Sequence, residues 1–392
     1  MALTHKLAVA AAVGCLAAWS IGISLGGKQA AAGPATRPAF EKMFHAPRAV
    51  CNQDGEPILT RRAVGHPVVV DFNADGHNDI LLGCHRSMDT AAAEILVLLN
   101  VGTNKQPRFR WPPRTSVQLE GQPARFSVSC GCKSGGTFEL HPVDFNGDGR
   151  FDLVVNTYWN PDGVRVLLNT GTSRADPKFT RGKVLHKIGS HGRGSGGGDW
   201  NNDGVVDFVF PVNPYGWAVY LGRRGPDGRV TFAEKAALTS GKYTMIAREG
   251  AAPNPEGRDS KPRWFDHSPY AWNFSGKHPV GSKKVEIVAV GEDPANKDRP
   301  YAEKLSHIDL YVLDHQAKTV TRLGRLATNR AAYTRLSIGD LNGDGCMDLL
   351  YTGGVFTTGR DTKIWVMYGK VPNVPGKKTA KARAGTVKAG LE

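Results

Sequence analysis

The sequence predicts an all-β chain made of repeated four-stranded units, and three observations carry that prediction. A nine-residue Asp/Asn/Gly loop is written four times, and each copy opens a short apolar run instead of a helix. Turn residues punctuate the rest, with 47 Gly and 24 Pro among 392 residues. After the N-terminal stretch, no amphipathic segment of helical period extends beyond a few turns.

The first loop reads Asp71, Phe72, Asn73, Ala74, Asp75, Gly76, His77, Asn78, Asp79, and the others start at Asp144, Asp199 and Asp340. Oxygen-bearing side chains recur at positions 1, 3, 5 and 9, with glycine at 6. They are Asp71, Asn73, Asp75 and Asp79; Asp144, Asn146, Asp148 and Asp152; Asp199, Asn201, Asp203 and Asp207; and Asp340, Asn342, Asp344 and Asp348. This is the ligand order of a calcium loop, in which position 7 adds a backbone carbonyl, here from His77, Arg150, Val205 and Cys346. Hard oxygen donors suit Ca2+, and three like charges held together repel unless a cation neutralises them. One such stretch is an ordinary turn, but four in register predict about four calcium sites.

The residues after each loop exclude an EF-hand. Position 12, where that motif needs Glu between two helices, is Leu82, Val155, Phe210 or Tyr351. The loops lead instead into Ile80–Leu82, Leu153–Val155, Phe208–Phe210 and Leu349–Tyr351, apolar runs with the bias of buried strands. A second strand recurs at 95–100, 164–169, 217–221 and 364–368, and Gly-Thr turns at 102–103 and 171–172 precede Phe109 and Phe179. A third and a fourth run, the last ending at the next Asp, complete each unit. The interval from Asp199 to Asp340 is two units long, and its middle holds a decayed copy. Ala271–Gly276 keeps the aromatic, Asn and Gly but loses the acidic ligands, with strands at 285–290 and 308–313. That unit is expected to carry no metal unless Asp266 or Ser275 rescues a weak site.

These residues resemble the FG-GAP/VCBS repeats, the calcium-loop blades of integrin α-subunit propellers and of many secreted bacterial proteins. The resemblance covers about residues 60 to 370, and its specific part is the D-x-[ND]-x-D-G-x-x-D loop with the apolar strand behind it. It implies a β-propeller in which cations sit within individual blades and not at an active centre. Closure into a ring suits such units, because it shields the strand edges that each blade leaves unpaired. Four intervals separate Asp71 from Asp340, and the segments before 71 and after 340 are expected to combine into one more blade, with Val68–Val70 as its innermost or outermost strand. Five blades result. The family's usual number is seven, which requires two further units.

The chain ends read differently. Residues 1–33 have the pattern of an export signal, with His5-Lys6, an apolar stretch from Leu7 to Leu25 and small residues at Ala30–Ala32. The stretch is also long enough for an uncleaved anchor helix, and Ala12-Val13-Gly14-Cys15 distantly resembles a lipid-attachment box, so membrane association is expected only through this segment. The propeller spans 34–370, and the basic tail 371–392, whose stretch Gly376–Gly385 has no large apolar residue, is expected to be disordered. The formal net charge is +14, and residues 1–33 with 370–392 account for half of it. Nucleic-acid binding is not indicated, because the basic residues line no single helix or aromatic-interleaved face. Export predicts oxidation of some of Cys51, Cys84, Cys130, Cys132 and Cys346, with a staple between Cys84 and the Cys130–Cys132 stretch as one pairing. Their odd number leaves at least one thiol over.

Function is expected in loops that break the repeat. The segments after the motif strands carry His85, Arg86, Tyr158, Trp159, Tyr215 and Trp217, aromatic and polar residues able to stack on sugars or anchor a protein. A second set, the glycine-rich His191–Gly198 and the insertion Arg248–His267, is expected on the calcium-loop side, with the glycines letting strands crowd near the axis. No nucleophile elbow, HExxH or Cys-His signature is present, so no catalytic residue is assigned. The sequence therefore predicts a secreted, calcium-stabilised propeller that binds extracellular polysaccharide or protein, the alternative being a propeller-type polysaccharide lyase or hydrolase.

Overall fold

In the computed structural model, the described residues are 42–60, 65–84, 93–113, 115–126, 138–157, 164–186, 195–212, 216–228, 230–232, 238–239, 242–246, 267–293, 299, 303, 305–329, 333–354 and 362–371. The leader and the basic tail lie outside them. Regular structure among the described residues is strand throughout, and no helix there is long and apolar enough to cross a membrane.

Each metal-type loop is the hairpin between the first and second strands of one antiparallel group. Gly65–Val70 pairs with Asp79–Cys84, so that Val70 faces Asp79 across the first loop. Phe138–Val143 pairs with Asp152–Thr157 in the same way, Gly196–Gly198 with Asp207–Val212 and Tyr333–Gly339 with Asp348–Gly354. The decayed copy has the same shape, with His267–Trp272 against Lys284–Glu292. Third strands follow at Ala93–Leu98, Val164–Asn169, Gly216–Tyr220, Ser306–Asp314 and Thr362–Met367.

This hairpin geometry corrects one expectation. Val68–Val70 belongs to the innermost strand of the first group and supplies no strand to the last one. A tight turn joins antiparallel neighbours, so the run before a loop must share a sheet with the run after it. The edge of the last group is instead covered by N-terminal residues: Arg48–Ala49 and Leu59–Thr60 both pair with Thr362–Met367.

The first strands pack against one another in a cycle. Gly65–Val70 touches Phe138–Val143 and Tyr333–Gly339; Gly196–Gly198 touches Phe138–Val143 and His267–Trp272; and His267–Trp272 touches Tyr333–Gly339. The arrangement is propeller-like. Between neighbouring groups lies a separate apolar layer, and the second strands are buried on both faces because their side chains alternate. Leu153 and Val155 pack with Leu81 and Leu140 on one side, while Val154 packs with Phe208 and Phe210 on the other.

Gly196–Gly198 behaves as the glycine run suggested. A Cβ on Gly196 would lie 1.7 Å from the Pro269 carbonyl oxygen, and one on Gly198, whose φ is +102°, would lie 2.0 Å from that of Ala271. The glycines let this strand pair in parallel with His267–Trp272. Its position differs from the expectation, however. The strand ends at Gly198 and leads into the loop at Asp199, so Ser195 enters from the end away from the metal loop, not from the loop side. His191–Arg193 and 248–266 lie outside the described residues.

Candidate metal loops and the axial polar cluster

The four loops share one hydrogen-bond pattern, which the Asp/Asn/Gly spacing produces locally. In the first, Asp71 Oδ1 accepts from Asp75 N at 3.1 Å and Oδ2 from Gly76 N at 3.1 Å, and Asp75 Oδ1 accepts from His77 N at 2.8 Å. Asp199 and Asp203 repeat this, as do Asp340 and Asp344. The second loop departs slightly, since Asp144 Oδ1 accepts from Gly147 N and Arg150 reaches back to Asp148 Oδ2 at 2.6 Å. Glycine at position 6 has positive φ in every copy (Gly76, Gly149, Gly204, Gly345), a conformation that side-chain-bearing residues rarely adopt.

The position-9 carboxylate does a second job that the ligand pattern did not reveal. Asp79 accepts from Phe72 N at 3.0 Å and Asn100 N at 2.7 Å. Asp152 accepts from Phe145 N and Asn169 N, Asp207 from Trp200 N and Gly222 N, and Asp348 from Leu341 N and Gly369 N. Each one staples the start of its loop to the end of the third strand. In the decayed unit Glu286 takes over part of this work, accepting from Ser275 N at 2.7 Å.

Burial makes these carboxylates costly in their charged form. It pushes Asp79, Asp152 and Asp199 up to about 6, Asp348 to about 7 and Asp207 to about 8, against backbone N–H groups that pull the other way. Asp340 is also raised by burial. The donor types suit a hard cation, carboxylate and amide oxygens with one backbone carbonyl per loop, but among the described residues no three carboxylate, imidazole or thiol side chains converge as a preformed metal cluster. Positions 1, 3, 5 and 9 of each loop, with the position-7 carbonyl, are the groups that would hold Ca2+.

The loops also grip their neighbours. Asn78 Nδ2 donates to Asp340 O at 2.7 Å, and Asn202 Nδ2 donates to Pro279 O at 2.6 Å. Cys51, Cys84 and Cys346 are free thiols, so Cys84 is not part of a staple, while Cys130 and Cys132 lie outside the described residues. Cys84 sits within an apolar layer, where burial pushes its thiol up.

Of the surface residues expected to bind, His85, Arg86, Tyr158, Trp159 and Tyr215 lie outside the described residues. Trp217 is described, and it is a core residue instead of a surface one. It is 4% exposed, with its ring 5.2 Å from Trp200 and 5.7 Å from Tyr243. Its place on a second-to-third strand pair directs it into the layer between groups.

A polar cluster that periodicity did not reveal lies among the first strands, toward the end away from the loops. Glu139, His141, His66, Ser195, Tyr270 and Arg335 are all buried there. Glu139 Oε2 accepts from Asn156 Nδ2 at 2.9 Å and from the backbone N and hydroxyl of Ser195. Arg335 Nε lies 3.8 Å from Glu139 Oε1. Ser195 Oγ is 3.1 Å from His141 Nε2, and the Tyr270 hydroxyl lies 3.0 Å from His66 Nε2 and 3.5 Å from His141 Nδ1. Alternation along a strand shows that residues such as Glu139 and His141 share a face, but only the ring brings faces from different units together. Asn156 Oδ1 and Ser268 Oγ are buried without a partner among the described residues, and Ser268 is held at φ +46°.

No curated protein matches the chain. Among solved structures it is similar to a GH43_1 enzyme from Xanthomonas citri complexed with xylotriose, at 14% identity and TM-score 0.45, over 80% of this chain and 90% of that one. It is similar to the mannose phosphorylase MPT-4 from Leishmania mexicana at 13% identity and TM-score 0.38, over 84% and 91%. A putative glycoside hydrolase from Parabacteroides distasonis is similar at 8% identity and TM-score 0.34, over 83% and 91%. Residues 144–210, which hold the second and third loops and the strands between them, match the FG-GAP-like repeat family.

Proposed function

We propose that this chain is an exported, five-bladed, calcium-stabilised propeller that binds extracellular polysaccharide or protein at the end of its axis opposite the metal loops. The cycle of contacts among five first strands supports the blade number. The observation that carries the binding reading is connectivity. Every second strand runs away from its hairpin loop, so Cys84, Thr157, Val212, Glu292 and Gly354 end at one side. The segments that join them to the third strands include His85, Arg86, Tyr158, Trp159 and Tyr215. Loops that serve folding thus occupy one end and loops that break the repeat start from the other, the usual division between scaffold and binding surface. Calcium would act indirectly, stiffening the hairpins so that little ordering is left to do on binding.

A second reading, a polysaccharide lyase or hydrolase, draws on Glu139 at that same end. Two-carboxylate hydrolysis takes a pair, and the described residues of the cluster contribute only Glu139. A glycan array probed with the mature domain, run beside an assay for newly released reducing ends, separates the two. Retention on the array without release supports binding. Release that is lost in Glu139→Gln replaces the binding reading with the hydrolase. Neither retention nor release removes the polysaccharide ligand.

A further inference from the structure

The cluster on the first strands forms a single chain of hydrogen bonds, and its direction can be assigned. Leu140 N–H donates to His66 Nδ1 at 3.1 Å, so Nδ1 is bare and the proton of a neutral ring sits on Nε2. That N–H faces two acceptors, Leu336 O at 2.9 Å and the Tyr270 hydroxyl oxygen at 3.0 Å. The Tyr270 hydroxyl is left to donate along the longer 3.5 Å contact to His141 Nδ1. His141 then donates from Nε2 to Ser195 Oγ, and Ser195 donates to Glu139 Oε2. His66, His141 with Glu139, Ser195, Tyr270 and Leu336 come from the first to fifth strand groups in turn, so one chain of donors and acceptors runs through all of them.

We propose that this chain is an acid-sensitive clasp on the ring, which holds only while both imidazoles are neutral and in the Nε2–H form. A second proton on His66 would sit on Nδ1 and oppose the Leu140 N–H. One on His141 would oppose the Tyr270 hydroxyl. The neighbours offer little relief. His66 faces His141, Tyr270 and the Arg335 guanidinium, and His141 faces His66, Tyr270, Ser195 and the Phe208 ring. The carboxylate of Glu139 is one hydroxyl removed and already faces Arg335. Burial, with His141 and Arg335 beside it, accordingly holds His66 well below the ordinary histidine range, and burial alone lowers His141 to about 3.

Linkage gives the sign. In the unfolded chain both rings take up a proton near about pH 6.5, whereas in the folded ring they do not. The contribution of these two rings is therefore complete above that pH and declines as pH falls below it, while the raised loop carboxylates contribute with the opposite sign. The folding constant loses about tenfold per pH unit for each histidine until the folded-state value is reached. This does not depend on whether the loops bind calcium.

Two measurements test the clasp. In the full chain with 15N-labelled histidine, two imidazoles are expected to stay neutral, with bare Nδ1 and protonated Nε2, from pH 8 to 5. His66→Gln and His141→Gln identify them by loss of signal. Titration of both near 6.5, or an Nδ1–H tautomer on either, overturns the proposal. His315, whose Nε2 faces Trp200 O, gives a similar signal, so the variants make the assignment. Fewer than two such rings in the wild-type spectrum overturns the proposal even where a variant fails to fold. Denaturant unfolding of wild type and His141→Gln between pH 7 and 4 should give curves that run parallel above about pH 6.5 and whose folding constants diverge by about tenfold per pH unit below it. Curves parallel over the whole range overturn the proposal.

Discussion

At the scale of single residues, the loop aspartates divide into two kinds. Position-5 residues such as Asp344 are exposed at the hairpin tip and hold the loop's own N–H groups. Asp344→Ala or Asp148→Ala is expected to lower the melting temperature in millimolar calcium and to erase most of the EGTA sensitivity of that hairpin. Calorimetry with and without EGTA checks this, and unchanged values in both conditions remove the metal role. Position 9 behaves otherwise. Asp207 is fully buried, and Asp207→Ala strands the N–H groups of Trp200 and Gly222. An orphaned buried donor costs about 1–3 kcal/mol, so the variant should lose about 2–4 kcal/mol in denaturant unfolding. Calcium should not restore it.

At the scale of elements, the third inner strand is set by the absence of side chains. A Cβ on Gly196 or Gly198 would meet backbone carbonyls of the neighbouring strand, and backbone cannot move aside as a flexible side-chain tip can. Overpacking of this kind costs about 1–3 kcal/mol, and Gly198 adds the strain of its positive φ. Gly198→Ala is therefore expected to destabilise more than Gly222→Ala, where a Cβ faces Val206 O at 2.4 Å at the blade's periphery. Paired denaturation curves check the order, and equal losses would show that the inner contact relaxes freely.

At the scale of the whole molecule, closure rests on residues far from any loop. Met43, Phe44, Val50 and Ile58 are buried, with Val50 and Ile58 in the layer that also holds Leu350 and Val366. The Ser337 and Thr352 hydroxyls donate to the carbonyls of Pro67 and Gly65, tying last group to first. Burying four such side chains stabilises by about 6–12 kcal/mol, comparable to the roughly 5–15 kcal/mol of a typical domain. Removal of residues 42–60 should leave a chain without a cooperative thermal transition by circular dichroism. A retained sharp transition would show that the ring closes without this segment.

The residues themselves determined the hairpins, because the ligand spacing is also a turn-forming spacing and acts within nine positions. Alternation determined which strands would be buried on both faces, and even the decayed unit kept its shape once Glu286 could take a backbone N–H. Tertiary structure decided what depends on contacts distant in sequence. It assigned Val68–Val70 to the first group, seated Trp217 in a core layer and gathered His66, Glu139, His141, Ser195, Tyr270 and Arg335 at the axis. Each of those residues carries no local signature, since it is the closing of a ring that turns separate strand faces into one polar cluster.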